Sequence, residues 1–115
     1  LLLKHQKGHI SFPKGHVENN ETEEETALRE IKEETNLDVK FISDFKKVIS
    51  YHPKDNVLKD VVYFLAYPFN ENLIVEEKEI KEAYWVSFNE AFDLITYDMD
   101  KLLFNEVIAF LNDLN

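Results

Sequence analysis

Three carboxylates that lie close together in the sequence, Glu30, Glu33 and Glu34, are the residues of this chain best suited to chemistry. Offsets of three and four residues place such side chains on one face of an α-helix. Like charges in that arrangement repel one another, so the helix by itself gains nothing from them. Carboxylate oxygens are hard ligands of the kind that Mg²⁺ or Mn²⁺ prefers. The spacing therefore predicts a site for a divalent cation.

The segment around these carboxylates has the start and stop signals of a helix. Thr22 and Glu25 stand in the spacing of a capping box, and Asn36 suits the end because Asn tolerates the left-handed conformation. At about 100° per residue, Leu28 and Ile31 share one side of the helix. We expect that side to pack on a sheet while the carboxylates face away from it.

The fixed offsets between residues 15 and 37 resemble the Nudix box. That pattern is a Gly, five residues, a Glu, seven residues, Arg-Glu, an apolar residue, any residue, Glu-Glu, any residue, Gly and an apolar residue. Every position matches except the second Gly, which is Asn36 here. A solvated acidic helix face is the alternative, and it suits the glutamates at 23–25 but does not explain the offsets as a set.

The resemblance implies metal-dependent hydrolysis of a nucleoside diphosphate linked to another group, with water attacking phosphorus. It implies that Glu33 and Glu34 are metal ligands, that Glu30 is a ligand or the general base, and that the Gly15 carbonyl is a further ligand. Family members differ over which carboxylate takes the proton, so the base stays open among the three.

Supporting residues are also implied. Glu21 and Arg29 are expected to pair and to hold the preceding loop against the helix. Glu79 lies six residues before Trp85, just before a predicted strand, where several Nudix hydrolases have a metal-binding Glu. Because other glutamates crowd the same loop, a solvated acidic set is the alternative for Glu79.

Residues 11–18 resemble the asymmetrical diadenosine tetraphosphate hydrolases within the Nudix family, as do the segments around Tyr63 and Tyr84. This resemblance implies that Lys14 and His16 contact phosphate and that Tyr63 stacks on adenine, with Tyr84 as a further substrate-binding candidate. Packing within the sheet is the alternative for both tyrosines, and it is favoured for Tyr84. The implied products of diadenosine tetraphosphate are ATP and AMP.

Other functions stay open. The same chemistry could act on nucleoside triphosphates, on 5′-triphosphorylated RNA or on inositol pyrophosphates. A catalytically silent Nudix module that binds nucleotides is an alternative of another class, although such modules usually lose box carboxylates and this chain keeps them. The net charge of −10 argues against broad electrostatic binding to nucleic acid. The oligomeric state is not indicated.

Length and composition predict one domain over residues 1–115. The chain has no Cys, which fits a reducing compartment, and no apolar run long enough to span a membrane, so we expect a cytoplasmic protein. The apolar start at Leu1 indicates a strand already under way, so we expect an N-terminal strand to be truncated.

The order of predicted elements gives an α+β fold, which matches the Nudix α/β/α sandwich with a mixed β-sheet. The strand at Val61–Tyr67 is apolar throughout and is expected to be central, whereas residues 51–56 are expected to form a loop. Ser87 is expected to cap one helix, and a last helix is expected from Asp98 or Asp100. Its apolar stripe comprises Leu103, Val107, Phe110 and Leu114.

Overall fold

The computed structural model describes residues 1–14 and 20–113. The described chain has an α+β fold, as predicted, and no helix in it is long and apolar enough to cross a membrane. In chain order its elements are β1 Leu2–His5, β2 Ile10–Ser11, α1 Glu23–Thr35, β3 Val39–Lys54, β4 Val57–Pro68, β5 Ile80–Tyr84, α2 Phe88–Leu94 and α3 Asp98–Asp113.

Two antiparallel sheets, in the orders β2-β1-β5 and β3-β4, take the place of the single mixed sheet expected. Within the described residues β4 pairs only with β3, so the prediction of a central strand at Val61–Tyr67 was wrong. Val61 and Tyr63 are buried by a helix packed on the sheet and not by strands on both sides, and the other apolar residues of the segment are less covered.

The loop expected at residues 51–56 is mostly strand. β3 continues through Lys54, which pairs with Val57, and only Asp55 and Asn56 form the turn. Asn56 has a φ of 63°, the left-handed conformation that a tight hairpin requires and that Asn tolerates. The sequence signal for a turn was correct, but Pro53 did not end the strand.

Helix α3 packs against both sheets. Leu103 clusters with Val61 and Tyr63 of the β3-β4 sheet, whereas its neighbour Phe104 clusters with Leu2 of β1. Phe12 packs against both clusters. The segment that leads from β2 towards the Nudix box is therefore held at the junction of the two sheets and α3. Leu114, the last residue of the predicted stripe, lies outside the described residues.

The ends of α1 are those that the sequence predicts. The Thr22 hydroxyl accepts a hydrogen bond from the Glu25 amide at 3.1 Å, and the Glu25 carboxylate accepts one from the Thr22 amide at 3.0 Å. Asn36 has a φ of 67° and its amide donates to the Lys32 carbonyl. Both the capping box and the left-handed end are confirmed.

The buried side of α1 is not the expected one. Leu28 is 41% exposed, whereas Thr26, Glu34 and Thr35 are buried. Residues 26, 30 and 34 follow one another at four-residue spacing, so the packed side also carries Glu30, which is half-buried. Glu30 and Glu34 therefore lie along the covered side of the helix, whereas only Glu33 is exposed as expected.

Candidate active site

The loop between β4 and β5 covers the last turn of α1. The amide of Ile74 donates to the Thr35 carbonyl at 3.1 Å, and the amide of Glu76 donates to the Glu34 carbonyl at 3.1 Å. Carbonyls in the last turn of a helix have no partner within the helix, so they are open to such donors. The pairing brings an acidic loop, residues 76–79, to the carboxylates of the helix.

Glu34 is the centre of this acidic group. Its side chain is buried, with the residue only 6% exposed, and Oε1 has no hydrogen-bond partner among the described residues. Burial raises the pKa of Glu34 to about 8, and the charges of Glu30, Glu79, Glu76 and Glu33 add to the rise. The carboxyl group therefore holds a proton near neutral pH unless a cation offsets these charges.

Arg29 binds the carboxylates on either side of it in the sequence. Its guanidinium makes a two-bond contact with Glu21, Nε to Oε2 at 2.7 Å and Nη2 to Oε1 at 2.9 Å. It also contacts Glu30 at 2.7 Å and Glu33 at 3.2 Å. The predicted pairing of Glu21 with Arg29 is confirmed, and the same guanidinium fixes one oxygen of Glu30 and one of Glu33.

The chemistry of these donors fits a divalent cation. A buried carboxylate oxygen without a partner, surrounded by further carboxylates, lacks a positive charge that a hard metal ion would supply. No three acidic or His side chains among the described residues already converge on one point. Arg29 accounts for part of this, because it draws Glu30 and Glu33 towards itself. Gly15 and His16, two of the predicted site residues, lie outside the described residues.

Tyr63 is placed in the core. It is 9% exposed, and its ring meets that of Phe12 edge to face with centroids 6.3 Å apart. Burial, followed by the charge of Asp100, raises the pKa of its hydroxyl. Tyr84 packs against the cluster that contains Leu2. These positions favour the packing alternative for both tyrosines over stacking on a base.

Glu79 is exposed, and its charge contributes to the raised pKa of Glu34, so it lies near the acidic group. Its role as a metal ligand stays a prediction. Lys14 is half-buried, two residues after Phe12.

Two acidic residues, Glu76 and Asp100, have surroundings that the sequence did not indicate. In the sequence Glu76 resembles the other glutamates of its loop, and two features single it out: its amide donates a hydrogen bond to the Glu34 carbonyl, and its charge acts on Glu34. Asp100 looked like an ordinary acidic residue in the first turn of a helix, yet it is 5% exposed and its Oδ2 has no hydrogen-bond partner among the described residues. Its offsets of three and four from Leu103 and Phe104 place it on the apolar side of α3, which was the available signal.

Comparison with known proteins gives consistent matches over nearly the whole chain. The NUDIX domain family matches residues 1–105. Proteins named asymmetrical bis(5′-nucleosyl)-tetraphosphatase are 33% identical in Mus musculus and 34% identical in Sus scrofa, each alignment covering 96% of this chain and 79% of the relative. A crystal structure of a binary complex of a C. elegans Ap4A hydrolase superimposes with a TM-score of 0.86 and 28% identity, covering 97% of this chain and 85% of that one.

Proposed function

Because this chain belongs to the Nudix family of hydrolases, we propose that it cleaves a dinucleoside tetraphosphate asymmetrically with the help of a divalent cation. Diadenosine tetraphosphate is the proposed substrate, with ATP and AMP as products. The observation that carries the proposal is the buried, unpartnered carboxylate of Glu34 within a group of further glutamates. The choice of substrate is supported by the names of relatives that align with 96% of the chain.

The carboxylates of Glu30, Glu33, Glu34 and Glu79, together with the Gly15 carbonyl, would hold Mg²⁺ or Mn²⁺. When bound, such an ion neutralises phosphate charge and lowers the pKa of a water molecule. Glu34 contributes a charge shielded from solvent, where electrostatic interactions are stronger than in water. Glu30, half-buried on the same side of the helix, is the second ligand or the base that takes the proton of the attacking water.

Arg29 orients the carboxylates. Its four contacts with Glu21, Glu30 and Glu33 restrict the rotamers of two proposed ligands before substrate arrives. Such preorganisation removes a cost of reorganisation at the reaction step. The bond to Glu21 also ties the residues before α1 to the helix, so the guanidinium links the position of the loop to that of the carboxylates.

Lys14 and His16 are proposed to bind phosphate oxygens of the substrate. Lys14 is half-buried and follows, two residues later, Phe12, which packs against the cluster that contains Leu2. Since Tyr63 is buried against Phe12, its proposed part is to support the segment that presents Lys14. Tyr84, packed beside Leu2, is proposed to act in the same indirect way.

A substrate panel with Mg²⁺ tests the proposal. We expect diadenosine tetraphosphate to give ATP and AMP, resolved by ion-exchange chromatography, faster than ATP, dGTP, triphosphorylated RNA or an inositol pyrophosphate is cleaved at equal concentration. Preference for one of the others would refute the substrate and leave the hydrolase class intact. Tight binding without any turnover would instead indicate a silent nucleotide-binding module.

Glu34→Gln tests the proposed centre. The change removes the charge and keeps the shape, so turnover should fall at least about 10²-fold because a ligand or base is lost. Glu24→Gln is the matched control, since Glu24 is exposed in the first turn of the same helix. Similar turnover in both variants at saturating Mg²⁺ would contradict the assignment.

A further inference from the structure

A second buried carboxylate lies outside the acidic group, in the first turn of α3. Asp100 is the third residue of that helix and is 5% exposed. Its Oδ2 is buried and has no hydrogen-bond partner among the described residues. A charge so placed is unfavourable unless another group compensates it.

The segment that carries Lys14 packs on the same helix as this carboxylate. Leu103 and Phe104, one turn further along α3, pack against Tyr63 and Phe12 respectively, and the rings of Phe12 and Phe104 are stacked with centroids 6.3 Å apart. Lys14 follows Phe12 by two residues. The packing of Phe12 therefore fixes the backbone before Lys14 against the side of α3 on which Asp100 lies.

The charges around Asp100 come from this same segment. Burial raises the pKa of Asp100, and the positive charges of Lys14 and His9 oppose that rise. Burial and the charges of Lys14 and Lys7 lower the pKa of His9, and the charge of Asp100 opposes that fall. No ion pair joins Asp100 to Lys14 among the described residues, so the carboxylate acts on the ammonium group through space. The start of a helix also favours the ionised carboxylate.

We propose that Asp100 is a positioning residue that holds the Lys14 side chain in the orientation needed to bind a polyphosphate. This inference rests on the proposed function, in which Lys14 contacts phosphate. A lysine side chain has four rotatable bonds and loses considerable rotamer freedom when it binds. A fixed, buried negative charge on one side of the ammonium group reduces that loss. Asp100 does not touch the substrate.

The sign of the effect distinguishes this role from simple electrostatics. Polyphosphate is an anion, so removal of a nearby negative charge should by itself strengthen its binding. If Asp100 acts by positioning Lys14, its neutralisation should weaken binding instead. The effect should also disappear when Lys14 is absent, because residues that act through one another are not additive.

The test is a double-mutant cycle on binding. Inorganic tripolyphosphate with Mg²⁺ is titrated calorimetrically into proteins that all carry Glu34→Gln, which suppresses turnover. We expect Asp100→Asn to raise the Kd at least about threefold when Lys14 is present and less than about twofold in the Lys14→Ala background. The proposal is overturned if Asp100→Asn raises the Kd by the same factor in both backgrounds, leaves the Kd unchanged or lowers it.

Asp98→Asn is the matched control, because Asp98 is exposed in the same first turn of α3 and carries the same charge. It should leave the Kd unchanged. If Asp100→Asn does not fold, the cycle is repeated with Asp100→Glu, which keeps the charge and moves it, under the same criterion. Since tripolyphosphate binding is measured without turnover, a failure to cleave diadenosine tetraphosphate does not affect the result.

Discussion

At the scale of single residues, Glu34 shows how burial changes the behaviour of a carboxyl group. Its pKa of about 8 in the folded protein lies above the ordinary 4.5, so the folded state binds the proton more tightly than the unfolded state does. Stability should therefore fall as pH rises from about 4.5 to about 8. Below that window the residue contributes no such loss, because both states are protonated.

In metal-free buffer, Glu34→Gln should remove this part of the pH dependence. We expect the variant to be more stable than the wild-type protein at pH 8, by on the order of 2–4 kcal/mol, and to approach it at pH 5. Urea unfolding at intervals between these pH values measures the difference. If the free energies of unfolding of the two proteins differ by the same amount at every pH, Glu34 is not the titrating group. Addition of Mg²⁺ should stabilise the wild-type protein most at the alkaline end.

Tyr63 supports a different prediction, on stability. The ring is buried with Phe12 and Leu103, so Tyr63→Ala should destabilise the fold by about 3 kcal/mol or more. Tyr67→Ala is the control on the same strand, because Tyr67 is 44% exposed, and it should cost much less. Thermal unfolding of both variants, with KM measured beside it, checks this. A higher KM for Tyr63→Ala with an unchanged melting temperature would restore the stacking role.

At the scale of elements, the end of α1 depends on Asn36. With a φ of 67°, this residue is in the left-handed region. Asn36→Gly should be neutral or slightly stabilising, whereas Asn36→Val should cost about 1 kcal/mol or more because a β-branched side chain resists that backbone. Chemical denaturation of both variants makes the comparison. Equal stability of the two would mean that the helix can end differently.

The parts of α1 that were predictable depend on local chemistry. Thr22, Glu25 and Asn36 satisfy backbone groups within a few residues of themselves, so the sequence alone shows both ends of the helix. The direction in which the helix packs depends on what covers it. The pairing of Ile74 and Glu76 with its last carbonyls, across about forty residues of chain, buries Glu34 and leaves Leu28 exposed. No periodicity within the helix contains that information.

The same distinction applies to the candidate site. The box spacing indicated Glu30, Glu33 and Glu34 as site candidates, and the resemblance indicated Glu79, because both depend on fixed offsets along the chain. Asp100 could be recognised only from its burial in the structure, because an acidic residue in the first turn of a helix is common.

At the scale of the whole molecule, the net charge of −10 opposes the approach of any polyphosphate. Arg29 is engaged with carboxylates, so under the proposed function Lys14 and a divalent cation would have to supply the positive charge that offsets this repulsion. Repulsion between exposed charges is screened over about 10 Å at 0.1 M salt, and over longer distances in more dilute buffer. The net charge therefore affects encounter with substrate more than it affects the reaction within the bound complex.

Added salt should consequently increase the rate at which the substrate encounters the protein. At fixed saturating Mg²⁺, we expect kcat/KM for diadenosine tetraphosphate to rise severalfold when ionic strength increases from about 0.02 to 0.15 M, because screening weakens the overall repulsion. The kcat at saturation should change little, since it describes the bound complex. Stopped-flow or initial-rate measurements across a salt series separate the two constants. If kcat/KM falls as salt is added, the positive charges near the site attract the substrate more strongly than the net charge of the protein repels it.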